Sequence, residues 1–97
     1  MKSIFIAFNQ AYNEEIADLL EAHGQRGYTR WVDIHGRGSV DGEPHLGNHA
    51  WPAMNIGIMT VVPDEKVAGI MADLKAKNEA FEALGLRAFV WNIEESI

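Results

Sequence analysis

The chain has 97 residues, a formal net charge of −6 with neutral histidines, and an apolar share of 47% against 23% charged. That balance describes one ordinary globular domain over residues 1–97 rather than a disordered acidic tail, and the acid excess argues against nucleic acid as a partner. Having no cysteine excludes a disulfide scaffold, a thiol nucleophile and any Cys-based zinc site, while apolar runs such as Ile4 to Phe8 are too short to span a membrane or act as a signal-peptide core. The expectation is a cytoplasmic protein that is not membrane-inserted.

Lys2 to Phe8 is β-branched and aromatic, and apolar at odd and even positions alike, the pattern of a strand buried on both faces. Asn13 reads as a helix N-cap, followed by Glu14 and Glu15 in the first turn, where carboxylates suit the helix dipole. Ile16, Leu19, Leu20 and His23 recur at helical spacing and Gly24 supplies the stop. A second strand fits Tyr28 to Ile34, with Tyr28, Val32 and Ile34 on one face and Thr29, Trp31 and Asp33 on the other.

From His35 to Ala53, Gly36, Gly38, Gly42, Pro44, Gly47 and Pro52 break both periodicities, which predicts a long loop of a kind that is commonly functional. A third strand covers Met54 to Val62, again apolar on both faces. Pro63 and Asp64 open a second helix, with Asp64 as its expected cap and Val67, Ile70, Met71 and Leu74 as its buried stripe. A short turn through Phe81 and Leu84 leads to Gly85, and a last strand runs from Leu86 to Ile93.

The order strand-helix-strand, strand-helix-strand with right-handed crossovers predicts an α+β, ferredoxin-like antiparallel sheet with two helices on one face. Two helices cover only one side of such a sheet. Phe5, Met59 and Trp91 are candidates for the other side, where each large apolar side chain left in water forgoes about 1.5–3 kcal/mol. A contiguous patch of this kind predicts an oligomer.

The chain resembles the PII signalling superfamily. Gly24, Gly27 and Thr29 stand where those proteins have a Gly-x-x-Gly-Met-Thr run, and Gly36-Arg37-Gly38-Ser39-Val40-Asp41-Gly42 keeps the glycine frame leading into their T-loop. Val61-Val62-Pro63-Asp64 is similar to the end of their third strand, and Arg87-Ala88-Phe89-Val90 to the start of their fourth. The resemblance implies a homotrimer packed sheet against sheet, with residues 35–53 as the T-loop equivalent. It places a small-anion cleft between subunits, lined by Thr29, Gly36, Arg37, Gly38 and Arg87. Within the glycine frame the family's Arg-Gln-Lys triplet is replaced by Ser39, Val40 and Asp41, and the Gly-Asp-Gly-Lys nucleotide loop by Leu84-Gly85-Leu86-Arg87. Losing cations and gaining a carboxylate near a polyphosphate predicts weak or absent ATP and ADP binding, since one charge at 4 Å is worth about 1 kcal/mol in water and about 4 near a protein surface. The closer resemblance is to PII-like proteins associated with heavy-metal efflux pumps and, more distantly, the chain is similar to CutA-type metal-tolerance trimers.

His35, His45 and His49, with Asp41 and Glu43 between them, are of the ligand types that hold zinc, copper or nickel. They are the expected metal ligands, beside the alternative that they are solvated loop histidines. The glycine frame could form an anion-binding nest aided by Arg30, Arg37 and Arg87, or be a turn that needs positive φ. Trp31 and Trp91 read as core or interface anchors. The expected function is a non-enzymatic regulatory trimer that senses a small ligand or divalent metal and modulates a membrane transport protein or a regulator. The rival reading is a small ferredoxin-like pocket enzyme of monooxygenase or isomerase type, which requires His23 or His35 to face an apolar cavity.

Overall fold

The computed structural model describes residues 1–36, 45 and 54–97. β1 (Lys2–Asn9) passes through a 3-10 turn (Gln10–Tyr12) into α1 (Asn13–Ala22), and β2 (Thr29–Ile34) follows. The second half repeats the pattern with β3 (Asn55–Val62), α2 (Asp64–Ala80), a 3-10 turn (Glu82–Leu84) and β4 (Arg87–Asn92). The strands form one antiparallel sheet in the order β2-β3-β1-β4, the ferredoxin-like arrangement, with the two doubly apolar strands in its centre.

Register decides which residues meet the helices. Ile4, Ile6 and Phe8 lie opposite Thr60, Ile58 and Ile56, and these share their face with Val90 and Ala88 of β4. Onto this face pack Ile16, Leu19 and Leu20 from α1 and Ile70 and Leu74 from α2, with Leu84 sealing one end. Val67 and Met71, expected in the buried stripe of α2, flank it half-buried. Each fully buried aliphatic or aromatic side chain here contributes about 1.5–3 kcal/mol relative to exposure. Among the described residues no helix is long and apolar enough to cross a membrane.

Both helix caps differ from expectation. Asn9, at the end of β1, accepts the Ala11 N–H at 3.0 Å, because a 3-10 turn intervenes before the helix proper. Asn13 is instead the first helical residue, and its amide oxygen accepts from the Arg30 guanidinium at 3.1 Å. Pro63 holds the cap position of α2, and the Asp64 carboxylate turns to the Met1 ammonium at 3.0 Å. The hydrogen bond and charge of that ammonium hold the Asp64 carboxyl below its ordinary value. This preference for the ionised form is present above the usual carboxylate range and is lost as pH falls through the folded-state value.

β2 departs from simple alternation. Trp31 lies opposite Gly57, but Ile34 lies opposite Asn55, so one extra residue is inserted and Asp33 takes φ 57°. The bulge turns Ile34 onto the face of Trp31 rather than that of Val32, as its Cδ1 against Gly57 confirms. Bulges of this kind also blunt an edge strand against unwanted pairing. A β-branched residue is poorly accommodated at positive φ, so Asp33→Val is expected to cost about 1–2 kcal/mol in chemical denaturation at fixed protein concentration. Asp33→Gly is expected to stay within about 0.5 kcal/mol of wild type, because relief of strain is offset by a more flexible unfolded chain.

Candidate functional site

The face turned away from the helices carries Ser3, Phe5 and Ala7 of β1. Beside them stand Val61, Met59 and Gly57 of β3, and Trp91, Phe89 and Arg87 of β4. Thr29 and Trp31 extend the same face across β2. Phe89 is 59% exposed, Trp31 46% and Trp91 45%, and the Phe5 and Trp31 rings approach to 6.4 Å between centroids. Phe5, Met59 and Trp91 therefore lie where the sequence puts them, in a continuous apolar surface that no part of the described chain covers. Ser3 is fully buried beneath this layer, and its hydroxyl has no hydrogen-bond partner among the described residues.

At one end of the sheet this surface becomes polar. Arg87 opens β4 opposite Ala7, exposed, with one guanidinium nitrogen donating to its own neighbour's carbonyl, Leu86, at 2.9 Å. At the same end lie Asn9, Asn55 and Gly36. Gly36 and His45 exchange two backbone hydrogen bonds, of 3.0 and 2.6 Å, which bring the two ends of the 36–45 segment together. Thr29 stands on the same face but further in, opposite Met59, in the row of Phe5 and Phe89. Of the expected cleft residues, Thr29, Gly36 and Arg87 are thus on or beside one surface, whereas Arg37 and Gly38 lie outside the described residues. Arg30 projects from the opposite side of β2, alongside Ile58, and is tied to Asn13.

The histidines do not assemble as a metal site among the described residues. His35 is exposed. His45 is buried, and its Nδ1 donates to the Asn55 side-chain oxygen, so that nitrogen carries a hydrogen and is closed to a metal. Among the described residues no three His, Asp or Glu side chains come together as ligands, and His49, Asp41 and Glu43 lie outside them. The pocket-enzyme reading needs His23 or His35 in an apolar cavity. His23 instead pairs with Asp73 at 2.6 Å between the two helices, and among the described residues His35 is exposed.

Sequence reasoning missed Asn55, and read Gly85 only as the end of a turn and part of the segment that replaces the nucleotide loop. Asn55 is a buried polar residue at the head of a strand whose only other polar member is Thr60, and that contrast was the available signal. Gly85 has φ 56°, in the left-handed region where a residue without Cβ is favoured.

Residues 1–97 match the family model described as nitrogen regulatory protein P-II, and the chain belongs to that family of signalling proteins. Among solved structures it resembles CPII, a nitrogen regulatory PII-like protein from Thiomonas intermedia K12, bound to ADP, AMP and bicarbonate. That match has 29% identity and a TM-score of 0.73, covering 95% of this chain and 84% of CPII. A second CPII structure, bound to ADP and bicarbonate, matches with the same identity, TM-score and coverage. A PII-like signalling protein from Thermus thermophilus shares the fold, with 23% identity and a TM-score of 0.67 over 95% of this chain and 85% of that one. A search of curated proteins found no match.

These relatives correct the expected cofactors. The expectation was a divalent transition metal held by His35, His45 and His49, with ATP and ADP disfavoured, yet the similar proteins hold adenine nucleotides and bicarbonate. The charge argument counted side-chain cations alone. Backbone N–H groups facing an anion attract it without any particular pair of lysines or arginines, and the nest that the glycine frame suggested was not weighed against the lost cations.

Proposed function

We propose that the chain is a homotrimeric PII-like regulator. It binds an adenine nucleotide, together with a small anion such as bicarbonate, in clefts between subunits. Three copies pack through the uncovered sheet faces, so that the polar end carrying Arg87 and Gly36 meets a neighbouring subunit. Thr29, Gly36, Arg37, Gly38 and Arg87 line the cleft, with the arginines opposite the phosphates and glycine backbone close to them. Residues 35–53, the T-loop equivalent, report occupancy to a membrane transport protein or a regulator on the cytoplasmic side. The protein signals rather than catalyses, and its energy of response is the difference in ligand affinity between two states of the assembly.

The observation that carries this reading is the exposed apolar face running into a polar end that bears Arg87, in a chain similar to a nucleotide-bound PII-like protein. Calorimetry with ADP, AMP and sodium bicarbonate tests it. The expected result is saturable ADP binding, up to one per subunit, that weakens as salt rises because the arginine–phosphate attraction is screened. Wild-type protein that takes up neither ADP nor AMP overturns the reading.

A further inference from the structure

At the polar end of the sheet sits a buried pair whose members touch both sides of the proposed cleft. His45 and Asn55 are each 6% exposed and are joined through the His45 Nδ1–H and the Asn55 side-chain oxygen. Two glycines press on the pair. A Cβ at Gly36 would drive into the Asn55 amide nitrogen, and a Cβ at Gly85 would come within 3.2 Å of His45 Cε1. Gly36 is also bonded to the His45 backbone in both directions, and Gly85 stands two residues ahead of Arg87. Asn9, paired in register with Asn55, donates to the Ala83 carbonyl at 3.1 Å and so ties the turn before Gly85 to the same cluster.

We propose that His45 is a positioning residue for anion recognition, setting the spacing between the Gly36 backbone and the start of β4 at Arg87. The inference rests on the nucleotide-binding reading above and gives it a specific support. A phosphate is held well only when donors converge on it from fixed directions, and donors on two separate segments converge only if something rigid joins those segments. The His45–Asn55 pair is that joint. It is buried, hydrogen-bonded and in close contact with both segments, and close-packed interiors transmit displacement rather than absorb it. Removing the imidazole opens a void beside Gly85 and leaves the Asn55 oxygen without its donor.

The test compares ADP with adenosine, which offers the same base and ribose without phosphates. His45→Ala is expected to weaken ADP binding about tenfold and to leave adenosine binding unchanged. His45→Gln, whose amide can still donate to Asn55, is expected to recover most of the loss. Asn55→Ala removes the joint from its other side and is expected to reproduce the ADP-selective defect, which covers the case in which His45→Ala does not fold. Equal weakening of ADP and adenosine, or no weakening of either, overturns the role of His45 alone. Wild-type protein that binds no ADP removes the nucleotide reading and this inference with it.

Discussion

Phe89→Asp is expected to convert the assembled protein into single subunits by native mass at micromolar concentration. Phe89 lies opposite Phe5 in the middle of the uncovered face, with Trp91 and Met59 near it, and 59% of its surface is open in the isolated chain. In a sheet-to-sheet trimer that surface is removed from water three times over. Each such side chain then contributes about 1.5–3 kcal/mol. The substitution forfeits this gain and places carboxylates in an apolar interface without partners, at an effective cost of several kcal/mol per ion. The helix-side core of Ile4, Ile6, Phe8, Ile58, Leu20 and Leu74 is on the other face and is untouched. The circular dichroism of the variant should therefore keep its helix and strand signature. A mass that stays trimeric would show that subunits meet elsewhere, and a wild-type protein already monomeric at that concentration would remove the interface altogether.

The second large effect belongs to Arg87. Arg87→Glu is expected to weaken ADP binding about a hundredfold or more, since it replaces an attraction of about 1–4 kcal/mol per charge pair with a repulsion of similar size. Arg87 is exposed at the start of β4 and its only side-chain bond among the described residues is to the Leu86 carbonyl, so little of the fold depends on it. Arg87→Lys should retain a substantial part of the affinity as a point charge while losing the planar fork that suits a phosphate. Arg30→Ala is the informative control. Its guanidinium is committed to Asn13 on the helix side of β2, and ADP affinity should be unchanged. If Arg30→Ala weakened ADP binding as much as Arg87→Glu, the ligand would lie on the helix side of the sheet.

The two sets of variants act at different levels, and their order matters. A cleft between subunits exists only in the assembly, so Phe89→Asp should also lose ADP binding, whereas Arg87→Glu should lose ADP binding and remain trimeric. Oligomer mass and calorimetry on the same samples separate the two causes.

Much of the fold was legible in the chain because burial leaves a periodic trace. Strands apolar on both faces became the central β1 and β3, and the stripes Ile16–Leu19–Leu20 and Ile70–Leu74 became the helix contacts. Positions that depend on one or two local geometries were less legible. Asn9 caps an inserted 3-10 turn and Tyr12, not Asn13, stands at the cap position of α1, and the Asp33 bulge shifted Ile34 to the other face. Neither leaves a periodic signal, since each changes the count by a residue or a turn. The expected metal cofactor was misjudged for a related reason, because spacing says that histidines are near in sequence and nothing about what a ring nitrogen such as His45 Nδ1 already bonds.

Periodicity along the chain was sufficient for the α+β class and for a sheet with one uncovered side, because hydrophobic burial is summed over many residues and tolerates local error, while the resemblance to PII proteins rested on four short matched segments. Tertiary structure alone decided that Arg30 and Arg87 fall on opposite faces and that His45 Nδ1 is bonded to Asn55. It also brought Gly36 and Gly85 against one buried pair. Those are contacts between residues far apart in the chain, set by strand register and a single turn, and no residue's identity announces its partner across a sheet.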